Sequence, residues 1–381
     1  GLMNTANMAD ANSIITVDLR QIGRNVRLIK EHIGPKAELM VTAKSNGYGH
    51  GLVEPAVYIY KNCGVKKFAT SMVSEALELR GAGIDCFLMV LGGVRYSAIP
   101  SVVEHELVTP AFDPEYLRLL DSMAQKAGKT MPVHIKIDTG LRRLGVKPGP
   151  GLDALLNYAL TLKNIELEGA FTHLSSPQDE DQRITNDQLD LFDGALAQIK
   201  QKGITLKYVH AANSDAVTRS KRSHYNLVRP AALWLGYDPT NSLGVKPAIS
   251  WKTFVSNVLV AEPGDSIGYF GACIAKRRTR IAILGFGGGD GYVRNLIQGD
   301  PAKNGVVLIH GVRAPLIAVN MDQAYADVSH IPDVRINDDV YLLGRCGEEE
   351  ITMDELGRIA GTSTGHIQCS LGSRPLRVYT E

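Results

Sequence analysis

Lys44 stands where a nucleophilic amine would be useful. It directly follows the apolar run ELMVTA (38–43) and precedes SNGYGHG (45–51). Such a run buries the lysine stem, and desolvation lowers an amine pKa by disfavouring the charged form. The neutral amine is then available for a Schiff base with a carbonyl compound. The three glycines behind it free the backbone to approach a ligand, and the Tyr48 hydroxyl lies in the same segment. Ser214 opens a helical stretch, SDAVTRSKR. A helix start offers free N–H groups and a positive dipole end to an anion, although the same serine also reads as a plain N-cap. In isolation, a lysine after a strand is a solvated loop residue, so the surrounding elements decide.

Those elements fall into two halves. The 381 residues suit two domains at roughly 100–200 residues each. From Ile14 to about Pro239, short apolar runs alternate with helical windows. The runs are ITVDL (15–19), ELMVTA (38–43), KFATS (67–71), CFLMVL (86–91), ELVTPA (106–111), VHIKID (133–138), LEGAFT (167–172) and KYVHAA (207–212). Ile22–Ile33, Val73–Arg80, Glu115–Ala127 and Gln182–Lys200 read as helices between them. Strands alternating with helices make parallel βαβ units, and eight of them predict an α/β fold, a (β/α)8 TIM-like barrel. Lys44 then lies at the C-terminal end of the second strand, on the face where such barrels place their chemistry. A doubly wound open sheet is the competing fold, but its GxGxxG after the first strand is absent. After Lys246, runs such as TRIAILGF and NGVVLIHG separated by Gly, Pro, Asp and Asn predict a mostly β C-terminal domain, with ITMDELGRIAG (351–361) its one helix. The expected organisation is an N-terminal segment at 1–13 that could join the β-domain, a barrel at 14–240 and a β-domain at 241–381. The linker falls in YDPTNSLGVK (237–246).

Composition excludes several functions. A net charge of +1 gives no electrostatic reason for nucleic acid or an anionic membrane as partner. No apolar window is long enough for a transmembrane helix. The N-terminus lacks the basic and apolar regions of a signal peptide, and its first residues are expected to be an expression remnant. Five cysteines without a CxxC pair argue for a reducing compartment, hence the cytoplasm, and against a disulfide framework or a zinc site.

Nine segments, in order along both halves, resemble those of the alanine racemase family. VTAKSNGYGHG (41–51) resembles its lysine motif, KIDTGLRRLG (136–145) its carboxylate-arginine segment and FTHLSS (171–176) its histidine motif. HAANSDAV (210–217) and NLVRPA (226–231) resemble its phosphate-serine and pyridine-arginine motifs. IGYFGACIAKRRTRIA (267–282) resembles its catalytic-tyrosine segment; GGGDGYVR (287–294), VNMDQAYADV (319–328) and ITMDELGRIAGT (351–362) follow in family order. The resemblance implies a homodimeric isomerase, an amino-acid racemase with active sites shared between subunits, that uses pyridoxal 5'-phosphate (PLP) to interconvert L- and D-alanine by a two-base mechanism.

It also implies a role for each matched residue. Lys44 carries the cofactor and is the base on one face of the substrate Cα. Tyr269, from the other subunit, is the base on the opposite face. A free tyrosine has a pKa near 10, so a phenolate near neutrality needs cationic neighbours, and His173 and Arg229 match the supporting positions. Arg229 also donates to the pyridine nitrogen; because arginine keeps its proton, the ring nitrogen stays unprotonated. Tyr48, Ser214 and backbone N–H groups near Ala231 and Ala232 hold the phosphate. Arg143 and the N–H of Met321 bind the substrate carboxylate, Asp322 supports the Met321 loop, and Lys136 matches a lysine that is often carbamylated.

The sequence departs from the family at three places. Ala231-Ala232 replaces the usual Gly-Ile, and Gly288 and Gly365 replace two tyrosines that line the substrate entrance. The vacated ring volume is expected to relax specificity from alanine toward serine or larger amino acids, with His366 beside Gly365 partly refilling the space. Two alternatives accompany this reading: a related barrel-type PLP decarboxylase, which needs no second base, and a non-enzymatic PLP homeostasis protein, which resembles the barrel alone.

Overall fold

The computed structural model describes residues 5–381; the four before them, part of the expected expression remnant and of the segment 1–13, lie outside the described residues. The chain divides into two compact units. One comprises Gln21–Lys44 and Leu52–Pro247; the other comprises the residues up to Arg20, Ser45–Gly51 and Ala248–Glu381.

The first unit is a parallel barrel of eight strands: Glu38–Thr42, Lys67–Thr70, Phe87–Val90, Thr109–Ala111, Met131–Lys136, Ile165–Phe171, Tyr208–Ala212 and Leu227–Val228. Leu227–Val228 sits between Tyr208–Ala212 and Glu38–Thr42, and a parallel bridge between Met89 and Val108 closes the ring. The C-terminal residues of these strands are buried, as in parallel strands covered on both faces. Met40, Ala69, Met89, Val108, Phe171 and Leu227 form one apolar cluster, and burying each large side chain there contributes about 1.5–3 kcal/mol. The helix Leu19–Ile33 buries Ile22, Val26, Ile29 and Ile33, one helical stripe.

The strand count of eight holds, but its membership changes. Ile14–Asp18, read as the first barrel strand, instead pairs antiparallel with Ile249–Ala261 and parallel with Leu376–Thr380. Its alternating burial is that of a strand with one face covered. The place is filled by the two-residue strand Leu227–Val228. The strand before Lys44 is therefore the first of the barrel rather than the second, and the barrel unit begins after Arg20 rather than at residue 14.

In the second unit the long strand Ile249–Ala261 pairs through its first half with Asp339–Cys346 and through its second with Thr279–Leu284. With Ala324–Asp327, Val312–Val319 and Val306–Ile309 between them, these strands close a six-membered antiparallel ring. Met353–Ala360 is the expected helix, capped by Thr352. A second helix, Thr364–Ser370, was not expected; the Ser363 hydroxyl accepts from His366 N–H and starts it.

Candidate active site

The barrel's matched residues gather at the C-terminal ends of its strands. Lys44 lies two residues past Glu38–Thr42, Lys136 ends Met131–Lys136 and His173 lies two past Ile165–Phe171. Ser214 lies two past Tyr208–Ala212, and Arg229 follows Leu227–Val228 directly.

Arg229 is buried at 4% exposure, and its polar partners are all neutral. One Nη donates to Thr172 O at 2.6 Å and meets His173 Nδ1 at 3.2 Å; the other meets His210 Nδ1 at 3.1 Å. Arginine only donates, so both imidazoles accept through Nδ1 and, neutral, carry their proton on Nε2. Burial, and then the neighbouring Arg143, lower the Arg229 pKa to about 9. It remains a cation at neutral pH. Burial pushes His173 down to about 2, with Arg229, Lys136, Arg143 and Lys44 acting in the same direction.

Lys136 is also buried, its Nζ 4.3 Å from the centre of the Phe171 ring. Burial, then Arg229 and Arg143, hold its pKa well below the usual lysine range, while Asp138 opposes them. Phe171 stacks on His210 with centroids 4.7 Å apart and lies under the Arg229 guanidinium at 5.5 Å.

Ser214 Oγ accepts the N–H of Ala231 and of Leu233, each at 3.1 Å. The hydroxyl hydrogen of Ser214 is not used in those two bonds. Ala231 N–H, expected to face a phosphate itself, is engaged by Ser214. The helix cap at this point is Asn213, whose side chain accepts from Ala216 N–H, so Ser214 is not the N-cap.

The second unit carries the remaining matched residues. Directly after Lys44, Ser45, Asn46, Gly47 and Tyr48 all have φ between 50° and 60°, one left-handed helical turn. Each non-glycine there costs about 1–2 kcal/mol. His50, fully buried and with its pKa lowered to about 4 by that burial, binds Gly47 O and Tyr48 O through Nδ1. Arg377 donates to Gly49 O at 2.9 Å and Tyr379 to His50 O at 2.8 Å, holding the turn. A Cβ on Gly49 would lie 2.3 Å from Gln368 O, so only glycine fits.

Tyr269 lies on a 3-10 turn between the short strands Ser266–Ile267 and Cys273–Ile274, 67% exposed. Phe270 beside it and Met321 are exposed too. Arg374, which carried no sequence signal, holds the Met321 loop together with Asp290 of the GGGDGYVR segment. Arg374 makes a two-point contact with the buried Asp290, at 2.7 and 3.0 Å, and reaches Asp322 at 2.7 Å and Met321 O at 2.8 Å. Those carboxylates raise the Arg374 pKa. Gly289 N–H also donates to Met321 O. Gly288 lies in the same loop: a Cβ there would touch Met321 Cε at 3.3 Å, whereas at Gly365 it would meet nothing within 4 Å.

A closed parallel barrel whose C-terminal strand ends carry a lysine, a buried arginine and neutral histidines has the arrangement of a barrel enzyme. Residues 17–239 match the N-terminal domain of alanine racemase and residues 248–379 match its C-terminal domain. Alanine racemase of Methanococcus maripaludis is 34% identical over 369 residues, covering 95% of this chain and 97% of that one. The enzyme of Syntrophobacter fumaroxidans is 33% identical over 374 residues, covering 97% and 98%. Among solved structures, alanine racemase from Bacillus anthracis with bound L-Ala-P superposes with a TM-score of 0.90 at 29% identity, covering 97% of this chain and 95% of that one. Alanine racemase from Bartonella henselae with covalently bound pyridoxal phosphate gives 0.86 at 25% identity, covering 97% and 100%. The chain belongs to the alanine racemase family, and it is an isomerase. The match to both domains displaces the barrel-only homeostasis protein, and the racemase relatives displace the decarboxylase. No helix among the described residues is long and apolar enough to cross a membrane.

Proposed function

We propose that this isomerase interconverts L- and D-alanine with PLP as cofactor, as a homodimer with shared active sites in the cytoplasm. The observation that carries the reading is the buried Arg229, held by His173 and His210 at the strand ends where Lys44 stands, in a chain of this family. These residues fit a phosphorylated anionic aldehyde: a cation with only neutral partners, a serine hydroxyl free to donate, and a lysine at the barrel mouth. When bound, PLP supplies an electron-withdrawing ring conjugated to the substrate Cα, which acidifies the Cα proton.

Lys44 would anchor the cofactor through its aldehyde carbon, and Tyr48 and Ser214 would hold its phosphate. Lys44 Nζ takes or returns the Cα proton on one face; Tyr269 Oη of a second copy does so on the other. Both are required, because inversion removes the proton from one face and returns it to the opposite one. Arg229 can donate to the ring nitrogen but cannot hand over its proton. It would therefore leave the ring a weaker electron sink, which would disfavour transamination. Arg143 and the Met321 N–H orient the substrate carboxylate. The Lys136 amine, whose pKa burial, Arg229 and Arg143 hold well below the usual lysine range, suits addition of carbon dioxide with release of one proton, and the resulting carbamate anion would orient Arg143. The exposure of Tyr269, Phe270 and Met321 supports a face covered by a second copy. The five free cysteines support a reducing compartment.

Chiral chromatography of L-alanine incubated with protein and PLP should show D-alanine, and Lys44→Ala should abolish it. Borohydride reduction of the loaded protein should label Lys44 in a peptide map; a label on another lysine overturns the assignment.

A further inference from the structure

Behind Arg229 the hydrogen bonding continues into the barrel interior. His210 Nε2 lies 2.9 Å from His134 Nδ1, and His134 Nε2 lies 3.0 Å from Glu168 Oε1. Both histidines are fully buried, and the Glu168 side chain is 12% exposed. The direction of every bond follows from the first. Arg229 can only donate, so His210 Nδ1 accepts and, in the neutral ring, the proton sits on Nε2. His210 Nε2–H then donates to His134 Nδ1, which leaves the His134 proton on Nε2, donated to Glu168. Burial lowers the pKa of both rings, which keeps them neutral.

The backbone is shaped for this chain. Between Met131–Lys136 and Ile165–Phe171 the register shifts: Val133 pairs with Leu167 and His134 with Gly169, so Glu168 is an extra residue at a β-bulge. A bulge re-aims one side chain, and here that side chain meets His134. Gly169 is the matching half, since a Cβ there would lie 2.8 Å from the His134 ring. Tyr208 stacks on the same ring at 6.0 Å.

We propose that Glu168 and His134 are positioning residues for Arg229, fixing through His210 the one tautomer that can accept from the guanidinium. With the proton on His210 Nδ1, donor would face donor and the guanidinium would have to turn away. The functional consequence rests on the proposed role of Arg229, whereas the tautomer assignment does not.

The experiment is nitrogen-15 imidazole NMR of the holoenzyme together with racemase kinetics. In the native protein His210 and His134 should each be a single neutral Nε2–H tautomer. Glu168→Gln keeps an acceptor oxygen and should leave those tautomers and kcat within about threefold. Glu168→Leu removes the acceptor; it should mix the tautomers and lower kcat by about 10–100-fold, the usual range for outer-shell partners, with KM changed far less. His134→Phe keeps the ring volume and should reproduce that loss. The proposal is overturned if the tautomers survive Glu168→Leu, or if Gln damages kcat as much as Leu. Should neither substituted protein fold, a native His210 that is cationic or protonated on Nδ1 overturns it, and the Nε2–H form sustains it. A native protein that racemises nothing would sink the reading of the site while leaving the tautomer result standing.

Discussion

Gly169→Ala tests the packing on which the interior chain depends. The added Cβ would lie 2.8, 2.8 and 2.9 Å from three atoms of the His134 ring, where ordinary contact begins at 3.4 Å. The ring must therefore retreat by about 0.6 Å. It is held on both sides, by His210 at 2.9 Å and Glu168 at 3.0 Å, and it packs against Phe87, Phe171 and Tyr208. Overpacking of this kind costs about 1–3 kcal/mol, and weakening two hydrogen bonds adds up to about 1 kcal/mol each. A loss of about 3 kcal/mol is expected, or roughly 6–12 °C in Tm for a unit of this size. A double-mutant cycle isolates the cause. His134→Ala is itself destabilising, but Gly169→Ala added to it has no ring to strike and should cost less than about 0.5 kcal/mol. The assay is calorimetry of the four proteins. A Tm change below about 1 °C for Gly169→Ala alone, or an equal cost in both backgrounds, refutes the reasoning.

Tyr269→Phe should retain PLP absorbance yet slow racemisation in both directions. Mixed with Lys44→Ala and allowed to exchange subunits, it should regain activity at about a quarter of sites, half the dimers being mixed and half of each one's sites intact; no recovery after proven exchange would mean a site built within one chain. Stability should fall on acidification. His50 and His173 have folded pKa values lowered to about 4 and about 2, so their stabilisation is complete above the unfolded value of about 6.5 and is lost as pH falls, about 2 kcal/mol each by pH 5; a Tm constant or rising from pH 7 to 5 would contradict this. Gly365→Tyr, placed where nothing lies within 4 Å of the new Cβ, should raise the ratio of alanine to serine kcat/KM; a native enzyme already more than about a thousandfold selective, about 4 kcal/mol, would mean other residues close the pocket.

Local pattern made part of this legible. Lys44 stood out because an apolar run leads straight into it, and the barrel because strands and helices alternate. Ile14–Asp18 misled because an apolar run carries no label for its sheet, although its alternation of Ile and Val with Thr and Asp matches the one-sided burial found. The eighth barrel strand is two residues long and no periodicity could reveal it. His134 and His210 are visible in VHIKID and KYVHAA as polar residues inside strands, but they are 76 residues apart and only closure of the barrel makes them partners. Arg374 and Asp290, in the second unit, are separated by 84 residues and only its folding brings them together.

What unites the barrel residues is an unequal charge balance. Arg229 is buried with a carbonyl and two imidazoles as its partners, none of which carries a negative charge. A buried cation of this kind is costly. The fall of its pKa to about 9 sets that cost on the order of 5 kcal/mol. Neutral histidines keep the cost from growing: a protonated His173 or His210 would add a second positive charge and lose the lone pair that Arg229 needs. The interior chain ending on Glu168 guards that lone pair, and its one carboxylate lies two imidazoles away from the guanidinium rather than against it. Placed in contact, a carboxylate would neutralise Arg229 and end its demand for an anion. Set back, it orients the guanidinium while leaving the charge to be met by whatever enters the barrel mouth, which is how the same residue can be fixed in place and still bind.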